Sequence, residues 1–227
     1  DGLITINEED YKAAQKFKLR TNGKVFFVPG VGVDIVSLEQ RIASMDRSEK
    51  RKELGLSVDT AVAITVGELN ANKNYIQALK ALSKLTKLNF HYIIVGNGES
   101  EQELKKAVNE LMLQNKVSFL GFRRDVPELL AASDVFILTS RREGLPKAVM
   151  EAMAVGLPII ATDVRGNRDL VKNGENGYLV PLDDVEQTAI AIKRLIDSED
   201  LRRPMGEKSK ELVKQYDLKN IIPQMEE

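Results

Sequence analysis

The reading of this chain turns on residues 134–151, Asp134-Val135-Phe136-Ile137-Leu138-Thr139-Ser140-Arg141-Arg142-Glu143-Gly144-Leu145-Pro146-Lys147-Ala148-Val149-Met150-Glu151. Asp134 to Ser140 is apolar with β-branched members, the pattern of a buried strand. Ala148 to Val155 is small and apolar, and Pro146 suits the first helical position. A strand therefore hands over to a helix, and ligands of open α/β sheets sit at the carboxyl ends of the strands. Glu143 stands in that loop. Glu151 lies on a helix that is otherwise apolar nearly all round. A buried carboxylate without a partner is costly or neutralises, so Glu151 needs one. Two partners are open. One is a ligand diol donating two hydrogen bonds. The other is Lys147, four residues earlier on an exposed face, worth only ~0.3–0.5 kcal/mol.

Working outward, β-rich runs alternate with helical ones. Ala61 to Val66, Phe90 to Val95, Val117 to Phe122, Leu157 to Val164 and Gly177 to Pro181 read as strands. Asn74 to Leu85, Glu101 to Leu113, Val126 to Ala132, Asp183 to Asp197 and Leu201 to Tyr216 have apolar residues at helical spacing. Strands that are apolar throughout and separated by helices predict a parallel sheet covered on both faces. Right-handed crossovers then give an α/β, Rossmann-like doubly wound sheet. The charge-rich run Asp46 to Lys52 is read as a solvated helix face.

Composition excludes several function classes. The 227 residues are 43% hydrophobic and 30% charged, an ordinary globular make-up. A net charge of −1 argues against a nucleic-acid partner held by bulk electrostatics. Without cysteine there is no disulfide framework or thiolate metal site, and one histidine makes a His-based metal site or a Ser-His-Asp triad a poor expectation. His91, between Phe90 and Tyr92, is read as structural. No apolar run approaches the ~20 residues needed to span a bilayer.

Five strands end in glycine-bearing turns: Gly67-Glu68, Gly96-Asn97-Gly98-Glu99, Gly121-Phe122-Arg123, Ser140 to Gly144, and Asp163 to Gly166. Glycine there is read as admitting a close ligand. Lys73 lies where asparagines would cap the next helix, a position the helix dipole disfavours for a cation unless a phosphate binds there. A surface lysine facing water is the competing reading. The amides of Gly144 to Lys147 form a second candidate anion site. Arg123-Arg124 and Arg141-Arg142 are basic pairs near the same rim; Arg124 and Arg142 are read as solvated.

These segments together resemble the retaining glycosyltransferases of family 4 (group 1). Glu143 and Glu151 around Gly144-Leu145-Pro146 resemble the E-x7-E motif of that family. Val66-Gly67-Glu68-Leu69-Asn70 with Lys73-Asn74 resembles its segment bearing a phosphate-binding lysine, and Val28 to Asp34 resembles its interdomain segment. Gly156 to Thr162, Gly166, Asn173-Gly174 and Gly177 to Val180 match its C-terminal run. The resemblance implies the donor-binding, C-terminal half of a GT-B fold. Residues 1–227 would form one nucleotide-sugar-binding domain with a core of about 25–197; 1–24 would be a remnant of an N-terminal half and linker, and 198–227 C-terminal helices.

The resemblance also implies roles. Glu143 would contact donor-sugar hydroxyls, Glu151 the ribose and Lys73 the diphosphate, with Glu143 and Lys73 as the catalytic pair. Gly144, Leu145, Pro146 and Lys147 would hold phosphate or sugar. Gly121, Phe122 and Arg123 would lie against the base, and Gly67, Glu68 and Gly98 would complete the donor site. The donor would be a UDP-sugar as substrate, with no cofactor and no metal, in keeping with the lack of an Asp-x-Asp motif. An acceptor sugar or glycolipid would be bound through an N-terminal half, in the cytoplasm. Glu68 departs from the arginine that many members carry. It is expected to orient Lys73 or a donor hydroxyl, or to leave Arg141 to supply the charge. Two rivals share the architecture: a GT-B nucleotide-sugar epimerase and a non-catalytic nucleotide-binding fragment. The chain alone is expected to bind nucleotide weakly and turn over negligibly.

Overall fold

The computed structural model describes residues 2–20 and 22–226. Asp1, Thr21 and Glu227, which fall in the terminal segments assigned above, lie outside the described residues. Strand β1 (Gly2–Thr5), helix α1 (Glu8–Ala14) and strand β2 (Lys24–Phe27) come first, and β1 pairs with β2 in a small parallel sheet of its own. Helices α2 (Ile35–Ile42) and α3 (Arg47–Glu53) follow. Then strands and helices alternate: β3 (Ala61–Val66), α4 (Tyr75–Ser83), β4 (Phe90–Val95), α5 (Glu101–Glu110), β5 (Val117–Gly121), α6 (Val126–Ala131), β6 (Val135–Leu138), α7 (Lys147–Ala154), β7 (Ile159–Thr162), α8 (Asn167–Leu170), β8 (Gly177–Val180), α9 (Val185–Asp197), α10 (Glu199–Val213) and α11 (Leu218–Glu226).

Strands β3 to β8 form one parallel sheet in the order β5-β4-β3-β6-β7-β8. That is the doubly wound order expected from the sequence. The strands are apolar throughout because both faces are covered. Ala63, Tyr92, Ile94, Ile137 and Ile160 pack with Ala78 and Leu82 of α4, Leu104 of α5 and Ile192 of α9. Their neighbours Val62, Ile64, Ile93, Phe136 and Ile159 turn the other way, onto Leu129 of α6 and Val149 and Met153 of α7. Helices α1, α2 and α8 and strand β2 were not read from the sequence. They are short or weakly apolar, so they are stabilised by docking rather than by their own periodicity.

The charge-rich run 46–52 is a correction. It is helical, but Arg51 is only 5% exposed. Its guanidinium donates to the carbonyls of Ala132, Val58 and Thr60, and to Asp134 Oδ2 at 2.6 Å. Asp134 also accepts from Arg47 at 2.6 Å and from the Val62 amide at 2.7 Å. This cluster ties α3 to the entry ends of β3 and β6, opposite the ligand rim. His91 Nε2 lies 2.8 Å from Ser118 Oγ, between β4 and β5. Among the described residues no helix is long and apolar enough to cross a membrane.

Removing one member of a buried ion pair strands the other. Asp134→Ala is expected to cost about 3–5 kcal/mol, read as a lower urea midpoint at unchanged m-value; a loss well under 1 kcal/mol would contradict the role given to Arg51. Burial, and then the Lys116 charge, push the His91 pKa below its ordinary 6.5. At a pH between the folded and ordinary values the unfolded chain binds more protons, so stability rises with pH up to about 6.5 and falls on acidification below it. Denaturation curves from pH 5 to 7 should lose that part of the slope in His91→Gln.

Candidate functional site

Strands β3 and β6 lie side by side, with Ala63 opposite Val135 and Ile64 opposite Phe136. Their crossovers leave in opposite directions, so a crevice opens where their following loops part. In the first loop, the buried Tyr75 places its hydroxyl 3.2 Å from the carbonyl oxygens of Gly67 and Glu68. Asn70 Oδ1 accepts from the Lys73 amide at 3.2 Å and holds a single 3₁₀ turn, Ala71–Lys73. The Lys73 stem crosses Gly67, its Cε 3.4 Å from where a Cβ would stand. Its Nζ donates to Glu143 Oε1 at 2.7 Å. Both side chains are largely covered, 20% and 10% exposed.

The second loop is braced from three sides. Thr139 Oγ1 donates to the Asn74 carbonyl at 2.9 Å, the Arg141 amide to the Asn72 carbonyl at 2.7 Å, and Asn72 Nδ2 to the Arg142 carbonyl at 3.0 Å. Beneath it, Gly166 has φ +76, and a Cβ there would stand 2.2 Å from the Gly144 carbonyl oxygen. The N-terminal segment closes another side, with Ile6 Cδ1 2.7 Å from the place of a Cβ on Gly144. Leu145 is buried, and Pro146 leads into α7 without a side-chain cap. Helix α7 then carries Glu151 to a cleft of about 290 Å³ that Val66, Arg124, Val126, Pro127 and Lys147 also line. The Lys147–Glu151 pair is present at 3.5 Å, yet Glu151 is only 22% exposed. The Lys147 contact and a cleft beside Glu151 therefore coexist.

Lys73, Glu143, Gly67 and Gly144 thus converge, and Glu151 and Lys147 line the adjoining cleft. Other expected residues are placed differently. Glu68 is exposed and accepts from Asn70 Nδ2 at 2.9 Å, so its link to Lys73 runs through the Asn70 cap rather than through the ammonium. The Arg141 guanidinium is held bidentately by Asp183 at 2.9 and 3.0 Å and does not pair with Glu143. Gly98 is a glycine for packing reasons: a Cβ would stand 2.2 Å from the Leu69 carbonyl oxygen. Phe122 is 72% exposed beyond the end of β5. The Arg123 guanidinium is engaged by Asp125 at 2.6 and 2.7 Å, which holds that carboxyl well below the usual range. Its neighbour Arg124, read as solvated, lines the Glu151 cleft. Sequence reasoning missed Tyr75, Thr139 and Asn167, whose Nδ2 donates to the Thr162 carbonyl at 2.9 Å. An apolar strand end gives no sign of which hydroxyl or amide will brace a loop.

The profile of the family described as Glycosyl transferases group 1 matches residues 46–212. The chain belongs to the group 1 glycosyltransferases. It is 31% identical over 227 residues to the putative glycosyltransferase EpsD of Bacillus subtilis, covering 99% of this chain and 59% of that one. It is 34% identical over 200 residues to the Escherichia coli UDP-Gal:alpha-D-GlcNAc-diphosphoundecaprenol alpha-1,3-galactosyltransferase, covering 86% of this chain and 51% of that one. The chain thus spans between half and three-fifths of the length of these relatives. Among solved structures, Anabaena HepE in complex with UDP and glucose superposes with a TM-score of 0.83 at 26% identity, over 98% of this chain and 61% of that one. The Rossmann-like half of a GT-B glycosyltransferase, expected from the motifs, is the fold observed.

The Gly166–Gly144 contact gives the group 1 site its floor. Gly166→Ala must move the Gly144 carbonyl or strain its own backbone, at about 1–3 kcal/mol. Thermal denaturation should show that loss, and an unchanged midpoint would refute the contact.

Proposed function

We propose that this chain is the donor-binding part of a glycosyltransferase that moves a sugar from a UDP-sugar to an acceptor with retention at the anomeric carbon. The observation that carries the reading is the Lys73–Glu143 pair, 2.7 Å apart and largely buried at the β3/β6 crevice. The ammonium complements an anionic diphosphate, and the carboxylate can accept hydrogen bonds from sugar hydroxyls. On donor entry the diphosphate takes the Lys73 ammonium from Glu143. The freed carboxylate then accepts hydrogen bonds from the donor sugar. Glu151 accepts from the ribose diol, and the first amides of α7 face phosphate. Bond cleavage builds negative charge on the leaving diphosphate. A lysine held out of bulk water stabilises that charge more strongly than it would in water. We propose that Lys73 and these amides supply the countercharge without a metal ion.

UDP as the nucleotide is supported by HepE, whose solved complexes hold UDP and UDP-glucose. A lipid-linked sugar as acceptor is supported by the Escherichia coli relative, whose name gives a GlcNAc-diphosphoundecaprenol substrate. The transferase names among the relatives do not favour the epimerase reading.

Thermal shift with UDP, GDP and ADP tests the site. A ligand at about 100 times its Kd raises stability by about 2.7 kcal/mol. UDP is expected to give the largest shift, unchanged by EDTA, and Lys73→Ala and Glu151→Ala are each expected to remove most of it. An equal shift in both variants would place the nucleotide elsewhere. No shift with any nucleotide would sink the reading.

A further inference from the structure

Two of the four described non-glycine residues with positive φ meet at one point of the rim: Asn74 at φ 49 and Asp183 at φ 61. A non-glycine residue in this region is strained and persists where the surroundings enforce it. Here they do. Asn74 is 8% exposed. Its Nδ2 donates to Asp183 Oδ1 at 3.1 Å and to Gln77 Oε1 at 3.0 Å. Gln77 Oε1 in turn accepts from the Asp183 amide at 2.8 Å, and Gln77 Nε2 is anchored on the Pro181 carbonyl and Thr188 Oγ1, both at 2.9 Å. Arg141 closes the network, bidentate on Asp183 and 3.4 Å from Asn74 Oδ1. Loops after β3, β6 and β8 are therefore locked together by Asn74, Gln77, Arg141 and Asp183.

We propose that Asp183 is a positioning residue which, through Asn74 and Arg141, holds Lys73 against Glu143 in the donor crevice. Two physical links support this. Asn74 directly follows Lys73, and its left-handed turn sets how the 3₁₀ turn bearing Lys73 leaves α4. Without the Asp183 carboxylate, Asn74 Nδ2 keeps only Gln77 Oε1, and that turn is held less tightly. Second, Arg141 is two residues from Glu143 in the same loop. The Asp183 carboxylate claims the guanidinium, so Glu143 is left to Lys73. The Arg141–Asp183 pair is itself exposed, 46% and 57%, so its direct contribution to stability is small and its effect is geometric. The role in donor binding rests on the site proposed above; the positioning of Lys73 does not.

The test uses Asp183→Gly, because glycine takes up φ 61 freely and the change removes the side-chain lock while leaving the backbone turn unstrained. The first readout needs no nucleotide. Lys73 acylation by acetic anhydride is followed by mass spectrometry, with the 78%-exposed Lys106 as internal standard. Slow labelling in the parent chain should rise several-fold in Asp183→Gly, with the thermal midpoint little changed, and Asp183→Asn should restore much of the protection. The second readout compares UDP with uridine by calorimetry. Asp183→Gly should weaken UDP about tenfold, the scale of one charge-assisted contact, and leave uridine unchanged. In a Lys73→Ala background the same change should cost nothing further. Unchanged Lys73 labelling, or a UDP loss that adds in the double variant, would overturn the proposal. Failure of the parent chain to bind UDP would overturn the functional reading alone, and the labelling ratio would still decide the positioning.

Discussion

Side-by-side pairing of β3 and β6 is the constraint from which the site follows. Two parallel strands whose crossovers leave in opposite directions cannot close the space beyond their carboxyl ends, so their loops part there. The loop after β3 brings Lys73 and the loop after β6 brings Glu143, and the two charges meet at 2.7 Å across a gap of 70 residues in sequence. Neither side chain is exposed enough to be satisfied by water alone. Each holds the other in the crevice.

The opposite end of the sheet shows the same chemistry used for a different purpose. Arg51 and Asp134 are buried as well, but the Arg51 guanidinium donates to three backbone carbonyls and to the Asp134 carboxylate. A fully satisfied cluster of that kind fixes the entry ends of β3 and β6 and has little left to offer a ligand. The Lys73–Glu143 pair carries fewer competing bonds: among the described residues the Nζ of Lys73 donates to Glu143 alone. One cluster is many-bonded and the other rests on a single bond, at opposite ends of the same two strands.

The rim itself is built from polar braces rather than from glycine alone. Tyr75 holds the first loop, Thr139 and Asn72 join it to the second, and Gly166 supports the second from below. Asp183, Asn74 and Arg141 add a third loop to this frame. Lys73 is therefore positioned by a chain of contacts that begins beyond β8, well outside the segment that carries it.

The sequence alone determined the sheet and the charged residues of the site. Apolar, β-branched runs separated by helical periods leave a two-sided parallel sheet as the workable packing, and the Glu143 to Glu151 run with Lys73 marked the rim. It could not determine which charges meet. Glu68 and Arg141 stand as close in sequence to the pair as any candidate, yet one turns to Asn70 and the other to Asp183. The run around Arg51 looks solvated by composition, and only the sheet's entry edge shows that one face of α3 is covered. Partner choice among like charges is decided by contacts 42 to 109 residues apart, such as Arg141 with Asp183 and Asn74 with Asp183. Local periodicity records which side of an element is dry; it does not record which distant carboxylate will arrive there.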